Sequence, residues 1–178
     1  MSDFFELAER RQSCRSYTGA PVEHEKLVKI AEAARLAPSG CNAQPWKFIF
    51  VESEENKKIV AEACQSFSGV NKYTDKAGAF AVVLEEYAIL MPALRSVLDS
   101  QYFAKNDLGG AVATICYAAE ELGVASCIMG LFDRDKIEKA LGITHESRVH
   151  VVIALGDAEK PGARKKTRKD FDSIVSFA

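Results

Sequence analysis

The sequence predicts one domain that mixes helices and strands, and three observations lead there. The chain has 178 residues, 48% of them hydrophobic, enough for a single sizeable core. Four short apolar runs, residues 47–51, 79–84, 124–130 and 150–155, read as strands. Around them, apolar residues recur at helical spacing. A bare dinucleotide-binding fold is excluded, because no G-x-G-x-x-G follows a strand.

Composition excludes several function classes. Net charge is −2, so no global field argues for nucleic acid or a membrane surface. No apolar run approaches the roughly 20 residues of a membrane helix. Met1-Ser2-Asp3 opens without a basic region followed by an apolar one, so the expectation is a cytoplasmic protein. Cysteines at 14, 41, 64, 116 and 127 are odd in number and form no C-x-x-C, which argues against a disulfide framework. His24, His145 and His150 share no ligand spacing, and no metal site is expected.

Taken in order, Phe4, Phe5, Leu7 and Ala8 predict a short amphipathic helix ending near Arg11. Beyond it Arg11, Ser13 and Arg15 alternate, so an extended segment puts all three on one face. Arginine offers a planar donor fork and a permanent charge, which phosphate recognition requires; a solvated basic turn has the same composition. Residues 22–36 predict a helix with Leu27, Ile30, Ala31 and Ala34 inward. Pro38 ends it. Residues 37–46 then form a polar loop fenced by Pro38 and Pro45, with Ser39, Asn42 and Gln44 able to present hydrogen-bonding groups and Trp46 as anchor.

Residues 47–51 predict a strand buried on both faces. Ser53 reads as the N-cap of a helix running to about residue 65, with Ile59, Val60 and Ala63 inward. A turn-rich stretch containing Asn71 leads to the buried strand 79–84. Residues 88–105 predict a helix kinked or split at Pro92. Its Met91, Leu94, Leu98, Tyr102 and Phe103 suit a core, a substrate pocket or a subunit contact. Residues 107–122 predict the most buried helix, with Asp107 as N-cap and Gly123 just past its end. Its Cys116 reads as an inert core thiol. A strand over 124–130, a short helix over 133–141 closed by Gly142, and a strand over 150–155 follow. Residues 160–169 then carry six positive charges without interleaved aromatics, which favours a solvated arm over a nucleic-acid patch.

Four stretches resemble the FMN-dependent nitroreductase family in their order and spacing across nearly the whole chain. They are Arg11-x-Ser13-x-Arg15, Pro38-Ser39-x-x-Asn42-x-Gln44-Pro45-Trp46, the segment from Gly123 to Gly130, and Lys166-Thr167-Arg168. The resemblance implies an α+β fold, with a mainly antiparallel central sheet covered by helices, in an intertwined homodimer carrying two FMN sites. It implies that Arg11, Ser13, Lys166 and Arg168 grip the FMN phosphate, and Gln12 is also expected at the cofactor. Arg15 is expected beside the pyrimidine edge of the flavin, where its charge would stabilise the reduced anionic ring. Pro38, Ser39, Gly40 and Asn42 are expected to wall the ring from the other subunit. Asn71 lies where the family often places an amide near that edge. Met129 stands where many members carry Glu, and Gly130 leaves room for the ring.

By the same resemblance NADH or NADPH is the electron donor, in a ping-pong cycle through the flavin. Small electron-poor molecules such as nitroaromatics or quinones are the acceptors. No catalytic side chain is nominated, because the flavin carries the hydride chemistry. The alternatives are an FMN-binding sensor or storage module, or a specialised flavin enzyme such as a dehalogenase. A thiol enzyme built on Cys41 lacks an acid–His partner arrangement.

Overall fold

The computed structural model describes residues 3–178 apart from 68, 90, 96–98, 100, 161 and 163. Leu98, expected in the pocket segment, lies outside the described residues, as do Pro161 and Ala163 of the basic arm. Helix α1 (Phe4–Arg10) starts at Asp3, whose carboxylate accepts from the Phe5 N–H at 2.8 Å. Helix α2 (His24–Arg35) buries Leu27, Ile30 and Ala34 as its spacing predicts, while Ala31 is half-buried. Strand β1 (Trp46–Val51), helix α3 (Glu54–Cys64) and strand β2 (Ala79–Glu85) follow. After the single-turn helix α4 (Pro92–Arg95) come helix α5 (Ala104–Glu121), strand β3 (Ala125–Met129), helix α6 (Arg134–Ala140) and strand β4 (Arg148–Gly156).

The strands form one sheet in the order β1-β2-β4-β3, and every neighbouring pair is antiparallel. Alternate residues of the central strands therefore feed two cores. On one face Ala79, Ala81, Val83, Ile153 and Leu155 meet Leu27 and Ile30 of α2 and Leu108 and Ile115 of α5. On the other, Phe80, Val82, Leu84, Val152 and Ala154 meet Val60 and Ala63 of α3 and Ile137 of α6. Each fully buried aliphatic or aromatic side chain contributes about 1.5–3 kcal/mol of burial free energy. The outcome is the expected α+β architecture, with helices on both faces of an antiparallel sheet.

Four expectations need correction. β1 is not buried on both faces: it is an edge strand, so Lys47 is exposed and residues 48–50 are half-buried. Among the described residues of 88–105, the expected single kinked helix is not found. Pro92 opens the four-residue α4, where its missing N–H is harmless, and α5 begins only at Ala104. Asp107 is consequently inside α5 and not its cap. On α3 the inward residues are Val60, Ala61, Ala63 and Cys64, with Ile59 only half-buried. Lys57 is buried beside them because its stem covers apolar surface while Nζ reaches the Gly78 carbonyl at 3.3 Å and Glu54 at 2.8 Å.

The termination signals behave as read. Gly123 takes φ +72° just past α5, and the Val124 N–H returns to the Ala119 carbonyl at 2.8 Å. Ser53 caps α3 with its side-chain oxygen as expected, and Asp133, just outside α6, is found to cap that helix in the same way. Among the described residues no helix is long and apolar enough to cross a membrane.

Candidate functional site

Beyond α1 the chain runs beside the sheet edge instead of joining it as a full strand. Ser13 bridges Ser126 of β3 in parallel, and the Cys14 N–H donates to the Ser126 carbonyl at 2.8 Å. Tyr17 then bridges Ala158, and its ring is buried under the sheet with the hydroxyl donating to the Ala154 carbonyl at 3.2 Å. Burial pushes that phenol far up, so Tyr17 is an anchor and not an acid. Pinned in this way, Arg11, Ser13 and Arg15 face one cleft of about 330 Å³, as their alternation predicts.

The opposite wall of this cleft is the basic arm. Arg164, Lys165, Lys166, Thr167 and Arg168 line it together with Gln12, and among the described residues no acidic side chain does. Residues 150 to 158 positions apart are joined by hydrogen bonds to neutral groups. The Gln12 amide nitrogen donates to the Gly162 carbonyl at 2.6 Å, and its oxygen accepts from the Arg164 backbone N–H at 3.0 Å and from Arg164 Nε at 3.2 Å. Arg164 Nη2 donates to the Ser13 carbonyl at 2.9 Å. Lys166 Nζ donates to the Ala8 carbonyl at 2.5 Å, near the C-terminal end of α1. Arg11 packs over the Tyr117 ring at 5.9 Å. Desolvation lowers the Lys166 pKa first, then the Arg11 and Arg168 charges, against a smaller pull from Glu120 and Glu9. Cations gathered without an acid make a site for a compact anion.

Two of these cradle residues, Arg164 and Lys165, lie outside the Lys-x-Arg pattern. Their signal was in the sequence as the density of charge in the arm. Asn71 takes a left-handed backbone, φ +60°, and both ends of its amide are engaged. It donates to the Cys64 carbonyl at 3.1 Å and accepts from the Tyr73 hydroxyl at 3.0 Å. Tyr73 also lies 3.3 Å from Cys127 Sγ. Burial and that thiol push its pKa up, while the Arg15 charge draws it down, so Arg15 and Asn71 share a neighbourhood. Met129 is 3% exposed and its side chain is packed in the core beneath α3 and α6, so that side chain is not offered to a ligand. Gly130 is exposed, with nothing within 4 Å of the position a Cβ would take.

The loop with Pro38, Ser39, Gly40 and Asn42 stands elsewhere. Its one turn of tight helix, Gly40–Asn42, is followed directly by the β1 entry. Cys41, Asn42 and Gln44 take φ of +54°, +51° and +47°. Left-handed non-glycine residues cost on the order of 1–3 kcal/mol each, least for Asn, and persist only where contacts impose them. Here Ser39 Oγ accepts from the Gln44 N–H at 3.0 Å, and the Asn42 and Ala43 N–H groups bond to Ser39 and Gly40 carbonyls. Gly40 N–H donates outward to Asp107 Oδ2 of α5 at 3.1 Å. A Cβ at position 40 would come within 3.2 Å of Phe103. The loop thus rests on the start of α5, whereas Arg11 rests on Tyr117 near its end, about 15 Å away at 1.5 Å per residue.

The sequence model of the nitroreductase family matches residues 8–157. An Archaeoglobus fulgidus protein provisionally named NADH dehydrogenase/NAD(P)H nitroreductase is 31% identical over 175 residues, covering 96% of this chain and 90% of its own. The oxygen-insensitive NADPH nitroreductase of Helicobacter acinonychis is 29% identical, covering 97% and 95%. The iodotyrosine deiodinase of Thermotoga neapolitana is 28% identical over 90% and 91%. Among solved structures, a nitroreductase family protein from Clostridium difficile superposes with a TM-score of 0.83 at 27% identity, over 99% of this chain and 98% of that one. A provisional nitroreductase from Exiguobacterium sibiricum, solved with FMN, shares the fold at a TM-score of 0.86 and 22% identity over 100% and 98%. The chain belongs to the nitroreductase family.

Proposed function

We propose that the protein is an NAD(P)H-dependent FMN oxidoreductase whose acceptors are flat, electron-poor molecules such as nitroaromatics and quinones. One observation carries the reading: an acid-free cleft that gathers Arg11, Arg15, Arg164, Lys165, Lys166 and Arg168 around Ser13. That donor set suits a phosphate monoester, which brings nearly two negative charges and three acceptor oxygens. Arg11, Ser13, Lys166 and Arg168 hold the phosphate, each charge-assisted bond contributing about 1.5–3 kcal/mol. When bound, FMN supplies the two-electron chemistry between NAD(P)H and the acceptor. Arg15 holds negative charge at the pyrimidine edge, near Asn71 and Tyr73. Gly130 leaves space for the ring.

Residues 38–42 form the facing wall and exclude water from one side of the ring. Within one chain the cradle and this loop lie toward opposite ends of α5, so the wall comes from a second copy in a homodimer. Exposed Phe4, Phe5, Leu36, Phe171, Ile174 and Phe177 supply apolar surface for that partner. A second reading, reductive dehalogenation of a halogenated phenol, draws on the name of the Thermotoga relative and keeps every flavin contact.

The test is a visible spectrum of the purified protein, followed by anaerobic addition of NADH or NADPH. A flavin band that bleaches, and returns on adding a nitroaromatic or quinone, supports the proposal. Return only with a halogenated phenol favours the second reading. A colourless protein that takes up no FMN overturns both.

A further inference from the structure

Residue 40 is held at two points by one face of α5. Phe103 and Asp107 are four residues apart, so their side chains stack on the same side of the helix start. Phe103 fills the space where a Cβ at position 40 would stand, with its Cβ, Cγ and Cδ2 at 3.2–3.4 Å. Asp107 Oδ2 takes the Gly40 N–H at 3.1 Å. The loop serves its own Asn42, Ala43, Gln44 and Trp46 N–H groups with oxygens from residues 39, 40 and 44. Gly40 N–H is different: its acceptor comes from α5, 67 residues away. Immediately after it the backbone turns left-handed at Cys41 and Asn42. A carboxylate oxygen is a strong acceptor for a backbone N–H, and the start of a helix is a favourable place for an acidic side chain.

We propose that Asp107 is the positioning residue of the flavin wall: by fixing the Gly40 amide against Phe103, it sets the left-handed turn that aims Asn42 at the ring. This rests on the proposed function for what the loop faces, though not for how the loop is held. Asp107 touches neither phosphate nor ring. Its loss acts on ring contacts and leaves the phosphate contacts alone.

The experiment compares Asp107→Ala and Asp107→Asn with wild type by hydrogen exchange over residues 39–44 and by titration with FMN and riboflavin. Asp107→Ala is expected to speed exchange of the Gly40 amide and to weaken FMN and riboflavin by the same factor, about tenfold, leaving their ratio unchanged. Asp107→Asn keeps an acceptor oxygen and restores most of both readouts. Ile115→Val, a core variant that lowers stability without touching the loop, leaves both at wild-type values. Unchanged exchange in Asp107→Ala overturns the proposal, as does an Ile115→Val that reproduces its losses. So does a loss confined to FMN, which would put Asp107 at the phosphate. A wild type that binds no flavin removes the proposed function, while the exchange comparison still decides whether Asp107 holds the loop.

Discussion

The basic cleft proposed to cradle the phosphate and the loop at residues 38–44 are built in opposite ways. The cradle collects charge on long side chains, and distant segments of the chain carry it to one cleft. Its backbone is secured by ordinary means, a bridge at Ser13 and another at Tyr17. The loop has no ionised residue of its own between 37 and 45, and its shape is stored in three left-handed residues held by hydrogen bonds. Substitution in the cradle should therefore change what charge the site accepts. Substitution in the loop should change how well a ring fits, whatever its phosphate.

The largest expected effect tests the cradle's half of that contrast. Arg11→Ala removes a permanent charge and a donor fork, and FMN affinity is expected to fall about 100-fold while riboflavin affinity barely moves. Arg11→Lys recovers only part, because an ammonium lacks the fork. Flavin fluorescence titration reads both. Equal losses for FMN and riboflavin would remove Arg11 from the phosphate.

Next in size is the question of which subunit owns the loop. If each loop serves its partner's cradle, a mixed dimer of one Arg11→Ala chain and one Asn42→Ala chain keeps one intact site. Activity then returns toward half that of wild type, although each parent homodimer is impaired at both sites. A mixed dimer no better than its parents would put cradle and loop of the same chain at one site.

Gly40→Ala tests the loop alone. The new methyl group meets Phe103 at 3.2 Å, closer than a comfortable contact, and overpacking of this kind destabilises by about 1–3 kcal/mol. FMN and riboflavin should weaken together. Phe103→Ala in the same chain, which removes the crowding Cγ and Cδ2, should recover part of the loss, a coupling that a double-mutant cycle measures. Additive effects would show that the two positions do not press on each other.

Legibility divides along the same line. Burial and capping follow local rules, so the helices at Leu27, Ile30 and Ala34 and at Leu108 to Ala119, and the end signals at Ser53 and Gly123, are readable from spacing. The cradle is readable too, because charge density survives as composition even where Arg164 and Lys165 fall outside a motif. What sequence conceals is long-range geometry. Asp107 looks like a helix cap because an acid before an apolar run normally is one, yet Phe103 begins the helix earlier and frees that carboxylate for Gly40. The edge position of β1 is hidden for the same reason: an apolar run looks alike in the middle of a sheet and at its border. Asn71 is the converse case. Its amide is engaged by Cys64 and Tyr73, a closure that its flanking turn residues do not reveal.

The smallest expected effect is a proton. In the ligand-free protein Lys166 sits below its ordinary pKa of 10.5, first through desolvation and then through the Arg11 and Arg168 charges. A phosphate dianion in the cleft offsets those charges and raises the pKa toward its ordinary value. Between the lowered and the ordinary pKa, the bound protein therefore holds more protons than the free one, so binding takes up protons in the alkaline range. Linkage then makes FMN affinity fall as pH rises through that window. Well below that window the amine is charged in both states and contributes no uptake. Titration calorimetry in two buffers of different ionisation enthalpy measures the uptake, and riboflavin, which carries the same ring without phosphate, subtracts any proton belonging to the ring. Lys166→Arg should abolish the difference, since a guanidinium stays protonated throughout. Uptake that persists in Lys166→Arg would assign the proton to another group and remove Lys166 from the phosphate's reach.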